Sequence, residues 1–226
     1  MEAEAQAESV ESETPSQKPS KTKKVKSVAE GPRLRELGLA DAITLGNTAC
    51  GIGAILLGFR YALEGGRFAI WYAFLLLIFA LICDLADGWV ARSRRASPFG
   101  GDLDSLSDVI SFGVAPACLA YALGLRGGWD CVILVFFVCC GVARLARYNV
   151  MADSMRSESG KVSHYEGTPI PTSLLVVAFM AALFGMGDAP DHLTAWQVGP
   201  LVLHPAVFAY ALSGALMISR VRVPKP

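Results

Sequence analysis

The stretch that decides the fold is Ile70-Trp-Tyr-Ala-Phe-Leu-Leu-Leu-Ile-Phe-Ala-Leu-Ile-Cys83, which runs directly into Asp84-Leu-Ala-Asp87-Gly88. The first part carries no charge, and with its apolar neighbours it approaches the roughly 20 residues that a membrane-spanning helix needs. It then ends in carboxylates, each of which costs roughly 2.5 to 3.5 kcal/mol at membrane depth on insertion scales. This contrast predicts a membrane helix whose acidic end has a function.

Apolar composition extends well beyond this stretch. The chain has 226 residues, 53% of them hydrophobic, and its mean hydropathy of +0.44 is too high for an ordinary soluble domain. We therefore expect an all-α fold, a polytopic membrane bundle of about six transmembrane helices. The predicted segments are Leu39–Leu63, Arg67–Val90, Leu103–Leu123, Trp129–Val150, Pro171–Met186 and Val198–Ile218. They show no internal repeat of the kind that marks the two halves of a transporter.

The sequence before the first segment is polar. Glutamates dominate the beginning, and five lysines follow between Lys18 and Lys26 among serines and threonines. We expect residues 1–37 to be a disordered cytosolic tail, residues 38–222 to form the transmembrane domain, and residues 223–226 to be a short cytosolic C-terminal tail. Because no apolar run follows Met1, we do not expect a secretory signal.

Basic residues are distributed unevenly around the segments. If the N-terminal tail is cytosolic, seventeen of the twenty lysines and arginines lie on that side, and Arg60, Arg67 and Arg126 lie on the other. The positive-inside rule therefore predicts that both termini are cytosolic. The carboxylates at the end of the second segment then face the cytosol, where water-soluble substrates can reach them.

Carboxylates recur at helical spacing on both sides of a short connection. Asp84 and Asp87 are three residues apart on the second segment, and Asp104 and Asp108 are four apart on the third, so each pair shares a helix face. Packing the two helices antiparallel would bring these carboxylates together. Divalent metal is the natural counter-ion, because hard cations take oxygen ligands and keep positions open for phosphate oxygens. Asp102 is off this spacing and is expected to be solvated.

In full, the region reads Asp84-Leu-Ala-Asp87-Gly88-Trp-Val-Ala91-Arg92, seven residues, Gly100, three residues, Asp104, three residues, Asp108. It resembles the signature of the CDP-alcohol phosphotransferase family, D-x-x-D-G-x-x-A-R followed after about eight residues by G-x-x-x-D-x-x-x-D. The first gap is one residue shorter here than in the family. The resemblance implies a membrane enzyme that transfers the phosphatidyl part of a CDP-lipid to an alcohol.

The resemblance also implies cofactors and site residues. Two divalent cations, Mg²⁺ or Mn²⁺, are expected on the carboxylates of Asp84, Asp87 and Asp104. Asp108 is expected to ligate metal as well or to act as the catalytic base that removes the acceptor's hydroxyl proton. Residues expected to bind the CDP-lipid are Asn47, Gly88, Ala91, Arg92, Ser97 and Gly100.

Sequence outside the signature resembles one branch of this family. The stretches Leu39–Asn47, Phe99–Pro116, Cys140–Asn149 and Tyr165–Thr172 are similar to the phosphatidylserine synthase branch of the family. That branch transfers phosphatidyl from CDP-diacylglycerol to the hydroxyl of L-serine and releases CMP. Residues expected to bind serine or the lipid phosphates are Arg144, Arg147, Tyr148, Asn149 and Glu166.

Other interpretations stay open for these residues. Arg144 and Arg147 lie three residues apart on one helix face, where a guanidinium fork suits the serine carboxylate, but plain positive-inside anchoring also explains them. Glu166 could pair with the serine ammonium or with an arginine, or could be a surface residue in a turn.

Alternative functions remain for the whole chain as well. They are a family member with another acceptor, such as glycerol phosphate or inositol, a cation channel or transporter, and a scaffold without catalysis. The partners that we expect are CDP-diacylglycerol, L-serine and membrane lipid, without nucleic acid. The polar, serine-rich tail and the similarity along the chain predict an enzyme of the endoplasmic reticulum, and the family resemblance implies a homodimer.

Overall fold

The computed structural model describes residues 38–93, 100–157, 164–166, 170–187, 195–219 and 222–224. Most of these residues are helical. The helices are α1 Leu39–Glu64, α2 Arg67–Ser93, α3 Gly100–Asp108, α4 Ala115–Ala122, α5 Gly128–Ser157, α6 Ser173–Met186 and α7 Phe208–Ile218. A π-helix, Val109–Val114, joins α3 to α4, so Gly100–Ala122 is one continuous span. Short 3₁₀ turns, Ile170–Thr172 and Pro205–Val207, precede α6 and α7.

These helices confirm the predicted all-α polytopic bundle and its count of six. Four spans are long and apolar enough to cross a membrane, namely α1, α2, Gly100–Ala122 and α5, and two shorter apolar helices complete the set. Two short antiparallel strand pairs accompany them. The pairs are β1 His164–Glu166 with β4 Arg222–Pro224, and β2 Trp196–Val198 with β3 Leu201–Leu203. The predicted tail, residues 1–37, lies outside the described residues.

The predicted sixth segment, Val198–Ile218, is wrong in its first half. Strands β2 and β3 form a hairpin there, and α7 begins at Phe208. The two-residue turn depends on Gly199, whose φ of 66° is the left-handed conformation that such turns require. Pro200 and Pro205 reinforce the break, because proline donates no backbone hydrogen bond and disfavours helix in the residue before it.

Gly100–Ala122 is the central span of the bundle. In its most apolar stretch 61% of the residues are buried, against 28 to 33% in α1, α2 and α5. The face that α1 buries repeats every three or four residues and consists of Asp41, Thr44, Asn47, Gly51, Ala54 and Gly58. A Cβ added at Gly51 would lie 2.9 Å from the Cα of Ser111, and one at Gly58 would lie 2.8 Å from Cδ2 of Leu119. These glycines let α1 approach the central span closely, as small residues do between membrane helices.

The hairpin is attached to the start of α5, at the end of the central span where α4 finishes. Asp130 is fully buried. Its carboxylate accepts hydrogen bonds from the backbone N–H groups of Gly127 and His204, both at 2.8 Å, and contacts the His204 ring at 2.5 Å. The Trp129 indole donates to the Val198 carbonyl at 3.1 Å. One carboxylate therefore both caps α5 and holds the chain that leads into α7.

Candidate functional site

Three carboxylates converge where α2 ends and the central span begins. Asp84 comes from α2, and Asp104 and Asp108 come from α3. Each offers one carboxylate oxygen, and these oxygens all lie within 4.8 Å of one another. Asp108 is buried, and the other two are partly buried. We call this group the carboxylate triad; it brings together three of the four predicted metal ligands.

Asp87, the fourth carboxylate of the signature, borders the triad and is held by α1. Its Oδ2 accepts a hydrogen bond of 2.6 Å from the Thr44 hydroxyl. Asp87 is only 5% exposed, and its charge acts on Asp104 and Asp108. It therefore lies within electrostatic reach of the triad without being a member of it.

The triad brings three acidic side chains together in a partly buried position. Two carboxylates at such separations repel by roughly 3 to 4 kcal/mol at an effective dielectric constant of about 20. Oδ1 of Asp104 and Oδ1 of Asp108 are buried, and neither has a hydrogen-bond partner among the described residues. Converging anionic oxygens without donors are the ligands that hard divalent cations such as Mg²⁺ or Mn²⁺ prefer. The residues present therefore fit a divalent-cation site.

A cation from α5 faces this negative charge. Arg144 is partly buried, and its charge interacts with that of Asp108. Its Nε is buried and has no hydrogen-bond partner in the described part of the chain. Arg147 and Tyr148, one turn further on, also act on the Arg144 guanidinium. Arg144 is thus the predicted serine-site residue that the structure brings beside the triad.

Asn149 lies near the same end of α5 as Arg144. Its Oδ1 accepts a hydrogen bond of 3.0 Å from the hydroxyl of Ser105, which lies between the aspartates of α3. This bond ties α5 to α3 at the edge of the triad. Asn149 therefore has a structural partner in addition to any substrate contact.

The residues assigned to the CDP-lipid are described in part. A Cβ added at Gly88 would meet nothing within 4 Å, so α2 presents open space next to the triad. Gly100 begins α3. Asn47 is fully buried, and neither side-chain amide atom has a hydrogen-bond partner within the described ranges. The site residues whose side chains lie outside the described set are Ala91, Arg92, Ser97 and Glu166.

A row of hydroxyls between α1 and the central span was not predicted from the sequence. The Thr48 hydroxyl donates to Ser107 Oγ at 2.9 Å, and that of Ser107 donates to the Thr44 carbonyl at 3.0 Å. The Ser111 hydroxyl donates to the Asn47 carbonyl at 3.0 Å. The available signal was the recurrence of polar residues every three or four positions in α1, which indicates a polar helix face.

The chain is similar in sequence to a family of known proteins and to individual relatives. The family model of CDP-alcohol phosphatidyltransferases matches residues 37–217. The chain is 38% identical over 200 residues to CDP-diacylglycerol–serine O-phosphatidyltransferase of Saccharomyces cerevisiae, an alignment covering 85% of this chain and 72% of that protein. It is 30% identical over 188 residues to the protein of the same name from Methanocaldococcus jannaschii, covering 83% of this chain and 74% of the relative.

A further relative has a different lipid in its name. Archaetidylserine synthase of Methanothermobacter thermautotrophicus is 34% identical over 146 residues, which cover 63% of this chain and 57% of that protein. No solved structure matches the chain significantly. The similarities to these relatives thus rest on sequence.

Replacing Asp104 with Asn tests the repulsion inside the triad. Without divalent metal, the Asp104→Asn variant should melt about 3 to 6 °C above wild type, equivalent to roughly 1 to 2 kcal/mol, because one charge has left the triad. Added Mn²⁺ should raise the melting temperature of wild type but hardly that of the variant. The measurement is thermal unfolding in detergent with EDTA or Mn²⁺. Asp102→Asn, an exposed carboxylate on the same helix, is the matched control and should behave like wild type. A less stable Asp104→Asn variant with an undiminished Mn²⁺ response would contradict the triad.

Proposed function

The chain belongs to the CDP-alcohol phosphatidyltransferase family, and on this premise we propose that it transfers the phosphatidyl group of CDP-diacylglycerol to the hydroxyl of L-serine, releasing CMP. The observation that carries the proposal is the carboxylate triad beside Arg144 at one end of a membrane bundle. The names of the three relatives agree on serine as the acceptor and differ in the lipid. The geometry therefore supports a reaction that depends on divalent cations, and the names of the relatives support serine as the acceptor.

The donor half of the reaction is assigned to α2 and α3. Asp84, Asp87, Asp104 and Asp108 would hold two divalent cations, with Asp87 reaching them from its position beside the triad. Bound cations of this kind neutralise a diphosphate and the charge that develops on a leaving phosphate. The open face at Gly88 leaves room for the cytidine diphosphate to approach α2. The remaining assignments to the CDP-lipid, supported by the family signature and by burial of the unpartnered Asn47 amide, are Asn47, Ala91, Arg92, Ser97 and Gly100.

The acceptor half is assigned to Arg144 and Asp108. The serine carboxylate binds the guanidinium of Arg144, an arrangement suited to its planar set of donors. Since the charges of Arg144 and Asp108 interact, the two side chains lie near each other, and we assign the hydroxyl of a serine held there to the Asp108 carboxylate. Arg147, Tyr148, Asn149 and Glu166 complete this proposed region.

Proton and bond changes balance in a single displacement. The serine oxygen attacks the β-phosphorus of CDP-diacylglycerol, and its proton passes to Asp108. The new bond between oxygen and phosphorus forms as the bond to the CMP phosphate breaks. Catalysis then comes mainly from positioning and charge neutralisation, because phosphoryl transfer needs little covalent help from the protein.

A product assay tests the proposal directly. Purified full-length protein with CDP-diacylglycerol, labelled serine and Mn²⁺ should yield phosphatidylserine and CMP, and EDTA should abolish both until metal is restored in excess. Asp108→Asn should lower kcat by about 10²- to 10⁴-fold, the usual contribution of a positioned base, while Asp102→Asn should retain activity. When glycerol phosphate or inositol replaces serine, no product should form. A CDP-lipid with alkyl instead of acyl chains, tested with serine, separates the preference for the lipid from the preference for the acceptor. Product with either of those alcohols and none with serine would overturn the proposal.

Substituting Arg144 tests the acceptor half separately. Arg144→Lys should raise the apparent KM for serine by about tenfold or more and leave that for CDP-diacylglycerol nearly unchanged, because lysine keeps the charge but loses the fork. Arg60→Lys is the matched control, since Arg60 pairs with Glu64 on the exposed surface. Steady-state kinetics with each substrate varied in turn provide the measurement. An unchanged KM for serine would refute this role of Arg144.

We also propose that the triad faces the cytosol, in a homodimer of the endoplasmic reticulum membrane. Uneven placement of basic residues supports the orientation, as does the pairing of β4, near the C-terminus, with β1, which follows α5. Family resemblance supports the dimer, and the polar, serine-rich N-terminal sequence together with the similarity along the chain supports the organelle. Tags at both termini should be digested by protease added to intact microsomes, and chemical crosslinking there should give a dimer. Protection of either tag would refute the proposed orientation. Crosslinking that yields only monomer would refute the dimer.

A further inference from the structure

We propose that Thr44 is a positioning residue for the metal site, which it serves by fixing the carboxylate of Asp87. Thr44 lies on α1, outside the family signature, and it touches neither substrate nor reacting atoms in this role. The inference rests on the proposed function, in which Asp87 is a metal ligand. It adds α1 to a site otherwise built from α2, α3 and α5.

The hydrogen-bond geometry favours the carboxylate as the acceptor of the Thr44 proton. The Thr44 hydroxyl has one proton and two oxygens in reach, the Ala40 carbonyl at 3.0 Å and Asp87 Oδ2 at 2.6 Å. A short bond to an anionic acceptor is the stronger of the two, because charge-assisted hydrogen bonds are about twice as strong as neutral ones. Both side chains are buried, so little water competes for this bond.

Packing fixes the Thr44 hydroxyl in space. The carbonyl of Thr44 accepts a hydrogen bond from Ser107, one residue before Asp108. Two turns further along α1, Gly51 lies so close to Ser111 that an added Cβ would overlap that residue's backbone. The hydroxyl is therefore attached to the same central span that supplies two members of the triad.

Fixing Asp87 matters because other carboxylates surround it. The charge of Asp41 acts on Asp87 from α1, and the charge of Asp87 acts in turn on Asp104 and Asp108. Without metal, these repulsions favour rotation of the Asp87 carboxylate away from the triad. The bond from Thr44 to Oδ2 opposes that rotation. Loss of such an outer hydrogen bond costs about 10- to 100-fold in metal affinity in known metal sites.

Three variants of the full-length protein isolate this hydroxyl. Thr44→Val removes it at nearly constant volume, and Thr44→Ser retains it. Thr48→Val removes the next hydroxyl of α1, which is partly buried and bonds neutral Ser107 instead of a carboxylate. The readout is the Mn²⁺ concentration that gives half of the maximal rise in melting temperature, measured in detergent without substrate. Thr44→Val should raise this concentration about 10- to 100-fold, whereas Thr44→Ser and Thr48→Val should stay within about threefold of wild type.

Activity measured against Mn²⁺ concentration completes the test. Thr44→Val should need correspondingly more Mn²⁺ for half-maximal rate and should recover most of its kcat at saturating metal. Equal Mn²⁺ midpoints for Thr44→Val and Thr48→Val would overturn the proposal, as would an activity loss that saturating metal does not relieve. A wild-type protein that binds Mn²⁺ but forms no phosphatidylserine would instead overturn the proposed function, so the two failures are distinguishable.

Discussion

Mutual repulsion of carboxylates at the end of apolar helices is the constraint on which the rest of this structure depends. Asp84, Asp104 and Asp108 bring three acidic oxygens within 4.8 Å of one another, and two of the side chains have buried oxygens without donors. Such a group is unfavourable by itself and becomes favourable when divalent cations bind. The folded protein therefore places mutually repelling carboxylates where a diphosphate and its cations would be bound.

The fold holds the acidic segments in place against their mutual repulsion. Glycines of α1 allow close contact with the central span, and hydroxyls between the two helices satisfy polar groups that lipid could not solvate. The π-helix Val109–Val114 starts directly after Asp108, at a place where helices often depart from regular geometry for function. At the far end, Asp130 secures the hairpin to α5. These polar contacts thus lie at the two ends of the bundle and between α1 and the central span.

The spans and the acidic cluster could be predicted from the sequence because both depend on local pattern. The lengths of the apolar segments predicted the six helices. The positions of Asp84, Asp104 and Asp108 predicted an acidic face on each of two helices, which were expected to pack against each other. The hairpin within Val198–Ile218 was not predicted, because the average hydropathy outweighed the turn signal of Gly199 and Pro200. The bond from Thr44 to Asp87 was not predictable either, since it joins residues 43 positions apart and depends on how two helices pack.

Direct location of metal tests the central claim, that the triad holds divalent cations, most directly. Crystals of the full-length protein grown with Mn²⁺ would give anomalous difference density at any bound ion. We predict density among Asp84, Asp104 and Asp108, at the roughly 2.0 to 2.2 Å from carboxylate oxygens that small divalent ions adopt. Density elsewhere in the chain, or a triad without density whose aspartates instead pair with Arg144, would contradict the claim.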